Sequence, residues 1–251
     1  MIINFFYLLF LGLWYYIYNF FLSIMDFLIF FKYPKNYIKL LMIKLLIFYE
    51  YFFLPPRWIT KLEVRKFKLK NEENFTYGET PIFTIYQIIT DLSNVLEKVS
   101  ESKFIDLGCG VGKCVFTAST IFQIHSIGVD NIGTFIKKAL KIKKIANFIG
   151  IKKIDFVKTD IEDFLKENEF SQDTIFYIAS TAFEMEFFQK IIELIISKVK
   201  QGTIITVSKD ISKDFRKKLK SKHNKTIFKL FSKEYFFSWG KSKVFVYRFF
   251  D

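Results

Sequence analysis

The stretch "KFIDLGCGVGKCVFTAST", Lys103–Thr120, decides the fold of this chain. A short apolar run ends in Asp106, the glycines Gly108, Gly110 and Gly112 alternate with small side chains, and a helix-forming segment follows. That order predicts a strand, a tight turn and a helix. Glycines at such a turn let the backbone come close to a ligand, and the helix start supplies N–H groups with no partner inside the helix. The spacing alone does not name the ligand. A dinucleotide site would want G-x-G-x-x-G and a phosphate loop would want Gly-Lys-Ser/Thr, and neither is present. Here the third glycine comes one residue early and an acid stands just before the turn.

On either side of this stretch, residues 60 to 251 alternate short apolar runs with lysine-rich amphipathic segments, a βα rhythm that predicts an open, mostly parallel sheet with helices on both faces. Near the end, apolar residues alternate on each side of Gly240, which predicts an antiparallel hairpin from about Phe228 to Phe249. The chain has 251 residues, 51% of them hydrophobic and 20% aromatic, with a formal charge of +13. The first 59 residues hold only 5 of its 38 basic and 2 of its 25 acidic side chains, so the basic excess belongs to the later part. No dense arginine patch or nucleic-acid motif accompanies it, and the lysines read as a solubilising coat. Cys109 and Cys114 form neither a metal-ligand cluster nor a disulfide framework, which fits a reducing compartment, and no metal is expected.

The beginning of the chain differs. "MIINFFYLLFLGLWYYIYNFFLSIM" runs to Met25 without a charged side chain, which predicts a membrane anchor over residues 1–31. Lys32, Lys35, Lys39 and Lys44 follow it, so the positive-inside bias puts everything downstream on the cytoplasmic side. A second apolar stretch, "YIKLLMIKLLIFYEYFFLPPRW", spaces Lys39, Lys44 and Glu50 closely. Residues 32–59 are therefore expected to form an interfacial amphipathic helix or a second, poorer span, ended by Pro55-Pro56, leaving 60–251 as the soluble domain.

The turn at Asp106–Gly112 resembles motif I of class I S-adenosylmethionine-dependent methyltransferases, whose cofactor is cationic and carries no phosphate. The resemblance implies a Rossmann-like seven-stranded sheet. It also implies an acid at the end of the next strand for the ribose hydroxyls. "HSIGVDN" supplies Asp130, 24 positions after Asp106. In "IDFVKTDIEDF" it points to Asp160 for the adenine amino group and Ile161 for the ring face. The closer likeness is to the disruptor-of-telomeric-silencing-type lysine methyltransferases, which lack a SET domain. "TYGET" is similar to that family's cofactor-covering loop, which nominates Tyr77, Gly78, Glu79 and Thr80. "FIDLGCGVGK" is similar to its motif I, which adds Lys113 to the glycines and Asp106. "TIFYIASTAF", "KVKQGTIITVSK" and "FFSWGKSKVFVYRF" resemble its later strands and terminal hairpin. In all, the likeness covers about residues 75 to 250.

By the same resemblance Phe183 and Trp239 are expected to wall a lysine channel, with Tyr77 near the methyl donor. Methyl transfer from a sulfonium needs alignment, a neutral nucleophile and exclusion of water, so no general base is required. Where the family has two asparagines before Phe-Ala-Phe, this chain has Ala179-Ser180 followed by Thr181-Ala182-Phe183. The chain also lacks the long basic extension of nuclear members, so a nucleosome or nucleic-acid partner is not favoured. The expected function is a membrane-anchored methyltransferase for a protein lysine. Two other classes stay open, a methyltransferase for a lipid or other hydrophobic small molecule and a noncatalytic membrane-bound interaction module.

Overall fold

A computed structural model describes residues 17–251 apart from 19, 68–77 and 171–172. In chain order its helices are α1 (Leu28–Lys32), α2 (Pro34–Tyr51), α3 (Pro56–Phe67), α4 (Ile82–Ser93), α5 (Lys113–Phe122), α6 (Gly133–Phe148), α7 (Ile161–Glu167), α8 (Met185–Lys198) and α9 (Lys213–His223). The strands are β1 (Lys103–Leu107), β2 (His125–Asp130), β3 (Ile154–Lys158), β4 (Thr174–Ile178), β5 (Gly202–Val207), β6 (Thr226–Phe237) and β7 (Gly240–Phe250). They form one seven-stranded sheet in the order β3-β2-β1-β4-β5-β7-β6. β1 to β5 are parallel, and β7 lies antiparallel between β5 and β6. The chain reverses direction across the sheet between β1 and β4, and open parallel sheets bind ligands at such a crossing.

The central parallel strands β1, β4 and β5 are buried on both faces, and their residues are mostly apolar. Ile105, Phe176 and Ile204 point to one side, where they meet α7, α8 and α9. Phe104, Ile175 and Ile205 point to the other, toward α4 and α5. α8 shows the helical counterpart, with Phe188, Ile191, Ile192, Ile195 and Ile196 all buried at i, i+3, i+4 spacing. The hairpin predicted around Gly240 is present, with Phe237 paired to Gly240 and a bulge between Lys229 and Phe231.

A further helical layer covers α5 and α6. Leu40, Ile43, Ile47 and Tyr51 lie on one face of α2 and are buried. Ile43, Ile47 and Tyr51 share a core with Val115 and Phe116 of α5 and Phe135, Ile136 and Ala139 of α6. The layer is also pinned by a buried carboxylate. Asp26 takes a hydrogen bond from Lys44 Nζ at 2.6 Å and another from the backbone N–H of Phe83 at 3.0 Å, in the first turn of α4. Burial pushes the Asp26 carboxyl above its usual range, against the pull of Lys44. Asp26→Ala is expected to leave the Phe83 N–H buried and unpaired and to cost about 1–3 kcal/mol, read as a lower thermal unfolding midpoint of the full chain.

The alternative reading of the 32–59 segment as a second span is corrected by this layer. No helix among the described residues is long and apolar enough to cross a membrane. The physical reason is that α2 spends one apolar face on the protein and carries Lys39, Lys44 and Glu50 within its 18 residues. Residues 1–16, the larger part of the expected anchor, lie outside the described residues. The described part of 1–31 is interrupted by a turn at Asp26–Phe27.

Candidate functional site

The predicted glycine turn sits at the C-terminal edge of the sheet and lines a cavity. Asp106 is the penultimate residue of β1, the turn follows, and Gly112 caps the start of α5 with φ 84°. A Cβ at Gly112 would lie 2.8 Å from the Phe156 ring and 3.2 Å from Phe116, so the position combines a left-handed backbone with a close aromatic contact. Gly108, with φ 89°, has nothing within 4 Å of where its Cβ would be, because that space is the cavity.

Asp130, the last residue of β2, is tied into the turn. One carboxylate oxygen accepts from Gly110 N–H and the other from Ile132 N–H, both at 2.8 Å. Asp130 is pushed up to about 6, first by burial and against these two hydrogen bonds. Asp106 is pushed up to about 8, again first by burial and then by the charge of Asp130, while the Cys114 thiol hydrogen-bonds its carboxylate. Neither acid forms a salt bridge among the described residues. Two buried carboxylates without a cation, beside a glycine cradle open to the cavity, fit a cationic ligand that also offers hydroxyl donors. S-adenosylmethionine has those features, so the residues present fit the cofactor.

Over the cavity comes the loop from Gly78. Glu79 pairs with Lys113 of α5, while Thr80 and the Tyr177 hydroxyl are 2.7 Å apart. The hairpin turn holds the loop from outside: Glu79 N–H donates to Ser238 Oγ at 3.0 Å, and Ser238 N–H donates to the Glu79 carbonyl at 3.2 Å. Trp239 does not line the cavity. Its ring stacks on Phe237 at 4.8 Å, its indole N–H donates to Ser242, and a Cβ at Gly78 would lie 2.7 Å from it. Only glycine lets the loop approach the indole that closely.

Of the expected site residues, Gly78, Glu79, Thr80, Asp106, Gly108, Gly110, Lys113, Asp130, Asp160, Ile161 and Phe183 all line this cavity. Gly112 shapes the turn behind it. Asp160 is also the N-cap of α7, accepting from Glu162 N–H at 2.8 Å. Tyr77 lies outside the described residues. Phe183 packs edge-on against Phe187 with ring centroids 5.0 Å apart. Ser180 turns its hydroxyl to the Val207 carbonyl at 2.7 Å, so the wall before Phe183 presents Ala179, Thr181 and Ala182.

Sequence reasoning missed Tyr177, Thr60 and Glu63. Tyr177 sits inside a strand whose other residues are core, Thr60 reaches the cavity from α3, and Glu63 accepts from Gly133 N–H and Thr134 N–H at 3.0 and 2.9 Å, capping α6. The carboxylate of Glu63 crosses 70 positions to that helix start, a contact with no local signal.

No curated protein sequence matches the chain. A Pyrococcus horikoshii protein designated "putative RNA methyltransferase" aligns at 16% identity over 76% of this chain and 95% of its own, with a TM-score of 0.51, a likeness of fold. The magnesium protoporphyrin IX methyltransferase of Synechocystis, solved with bound S-adenosylmethionine, aligns at 11% identity over 76% of this chain and 96% of its own, with a TM-score of 0.48. A second Pyrococcus horikoshii protein, designated "putative transferase", is 13% identical over 61% of this chain with a TM-score of 0.47, and the chain spans 60% of its length. The profile of the family described as "Histone methylation protein DOT1" matches residues 59–247. The cavity, the glycine turn and three quarters of the sequence thus agree, and the chain belongs to the DOT1 family of S-adenosylmethionine-dependent methyltransferases.

Proposed function

We propose that this methyltransferase acts on the side-chain nitrogen of a protein lysine and is attached to a membrane through its N-terminal segment. The observation that carries the acceptor is the aromatic pair Phe183 and Phe187 at the cavity beside Ala179–Ala182. An apolar wall disfavours an ammonium ion, so an arriving lysine sheds its proton to solvent before transfer and presents a neutral nitrogen. When bound, S-adenosylmethionine supplies an electrophilic methyl group on a sulfonium. The chain itself aligns and shields. The Gly108–Gly112 turn and Asp130 would hold the ribose end, Asp160 and Ile161 the adenine end, and Glu79 and Thr80 would cover the site. The uncharged run before Asp26 supports the membrane attachment.

A second reading, a hydrophobic small-molecule acceptor, is favoured by one observation: Ser180 spends its hydroxyl on Val207, leaving the wall before Phe183 with little polar character. The two readings separate in one experiment. Full-length protein is incubated with tritiated S-adenosylmethionine and membranes, then the products are divided into an organic extract and a protein fraction hydrolysed to amino acids. Label in methylated lysine is the expected result, and label confined to the organic extract would replace lysine with a lipid.

Cofactor binding is expected to release protons. Both acids have folded pKa values above the ordinary carboxylate value, so the folded protein holds their protons more tightly than the unfolded chain. Without cofactor, the stability they contribute is present at low pH and is lost as pH rises from about 4 toward 8. A cationic ligand prefers the ionised carboxylates, so affinity rises over the upper part of that window. Calorimetric titrations near pH 7 in two buffers of different ionisation enthalpy should differ in apparent heat by the released protons, and equal heats would rule out the linkage.

A further inference from the structure

The helix α2 is apolar on two opposite faces. One face carries Leu40, Ile43, Ile47 and Tyr51 into the protein core. The opposite face presents Ile38, Leu41, Met42, Leu45 and Phe48 to the outside, continued by Phe52 at the helix cap, with Phe48 at 63% exposure. A helix apolar on two opposite faces has a use for a partner on each, and soluble monomers rarely expose a contiguous apolar stripe of this length. The outward face is therefore a candidate docking surface.

Three features fit a lipid bilayer as its occupant. First, cationic side chains lie beside the stripe: Lys35 and Lys39 are on α2 itself, and Lys137 and Lys144 are exposed on α6, the helix packed against it. α6 is held alongside by the Lys141–Glu50 ion pair and by Lys138, whose ammonium lies 4.5 Å from the Tyr51 ring centroid. An apolar strip edged by lysine is the chemistry that seats a helix among anionic headgroups. Second, the sixteen residues that lead into Ile17 contain no charged side chain, so the chain enters this layer from an uncharged run. Third, Phe148 at the end of α6 and Phe53 just beyond α2 stand 91% and 90% exposed, the solvation of large aromatic rings that a membrane interface relieves.

The layer also has a direction. The start of α2 lies at the far end of α5, where the Asn36 amide reaches the Ile121 carbonyl at 3.5 Å. Its last residue, Tyr51, packs on Phe135, which lines the cofactor cavity, with ring centroids 6.1 Å apart. α2 thus runs antiparallel to α5, and its apolar stripe ends at the rim of the cavity. There Phe53 and Trp58 are exposed, and Thr60, two residues on, lines the cavity. We propose that the outward face of α2 is a docking surface for an anionic bilayer and that it holds the mouth of the methyl-transfer cavity against the membrane surface. The proposal rests on the membrane attachment stated above and deepens it by confining the acceptor to groups at the bilayer interface.

Site-directed spin labelling tests this without turnover, on the full-length chain in vesicles of phosphatidylcholine and phosphatidylserine. Both native cysteines are buried, so a nitroxide goes to an introduced one. Labels at Leu45→Cys, Phe48→Cys and Phe52→Cys are each expected to collide several-fold more with oxygen, which concentrates in the bilayer, than with a water-soluble nickel chelate. A label at Lys217→Cys on α9, across the sheet, should show the reverse. Water-exposed labels on α2 in protein that still floats with the vesicles would overturn the docking face while leaving attachment through the first sixteen residues standing. Protein that does not float would remove both. Spin–spin broadening at Phe48 without oxygen preference would assign the face to a second copy of the chain.

Discussion

Asp130→Ala is expected to raise the dissociation constant for S-adenosylmethionine at least about tenfold, a loss of more than about 1.4 kcal/mol. The carboxylate is buried and accepts from Gly110 N–H and Ile132 N–H, so it shapes the turn as well as facing the cavity. Its removal takes away an acceptor for the ribose hydroxyls and leaves two backbone donors to find new partners. Unsatisfied buried donors cost about 1–3 kcal/mol each when no water replaces the partner. Asp130→Asn keeps one acceptor oxygen and adds an NH₂ group that faces one of the two donors. Its affinity is expected to fall between those of the wild type and the alanine variant. Calorimetric titration of the three proteins checks the order, and equal affinities would remove Asp130 from the cofactor site.

Gly112→Val is expected to give the largest loss of stability. The backbone at this position has φ 84°, where a β-branched residue is strained by about 1–3 kcal/mol. Its Cβ would in addition approach the Phe156 ring to 2.8 Å, and overpacking of that kind costs about 1–3 kcal/mol. Phe156 has little room to give, since its own ring packs on Phe116 with centroids 5.3 Å apart. The two effects act on the same turn, so the thermal midpoint should fall by about 5–15 °C. Gly108→Ala, with a similar φ but open space around its Cβ, should lose less stability and more cofactor affinity, because its methyl group enters the cavity. A Gly112 variant as stable as the wild type would mean that the turn relaxes away from Phe156.

The parts of the fold that were legible in the sequence are those set by local chemistry. The strand before Asp106, the alternating glycines and the apolar alternation on each side of Gly240 require only near neighbours, and each appears where expected. α2 was only partly legible, for a physical reason: an apolar run reports that a segment avoids water and does not report whether protein or lipid replaces the water. One face of α2 is met by protein, which the sequence could not foretell from Leu40, Ile43 and Ile47 alone. The site shows the same division. Glycines and acids at strand ends announce themselves, whereas Glu63 capping α6 depends on a contact between distant segments. Trp239, expected as a channel wall, lies instead against Gly78 and Phe237, because the hairpin turn clamps the outside of the covering loop.

That clamp gives a further consequence for the cofactor. Ser238 exchanges two hydrogen bonds with the backbone of Glu79, and Glu79 in turn pairs with Lys113 at the start of α5. The covering loop is therefore tied on one side to the terminal hairpin and on the other to the helix that begins at the glycine turn. One glutamate thus joins the covering loop to both the hairpin and the helix of the glycine turn.

The cofactor site is tested most directly by a calorimetric titration of S-adenosylmethionine into the folded full-length chain in detergent, beside Gly110→Arg. A single site of micromolar affinity is expected in the wild type and none in the variant, which puts a bulky side chain on a left-handed glycine that lines the cavity and donates to Asp130. No binding by a wild-type protein shown to be folded, or equal binding by both proteins, would contradict that expectation.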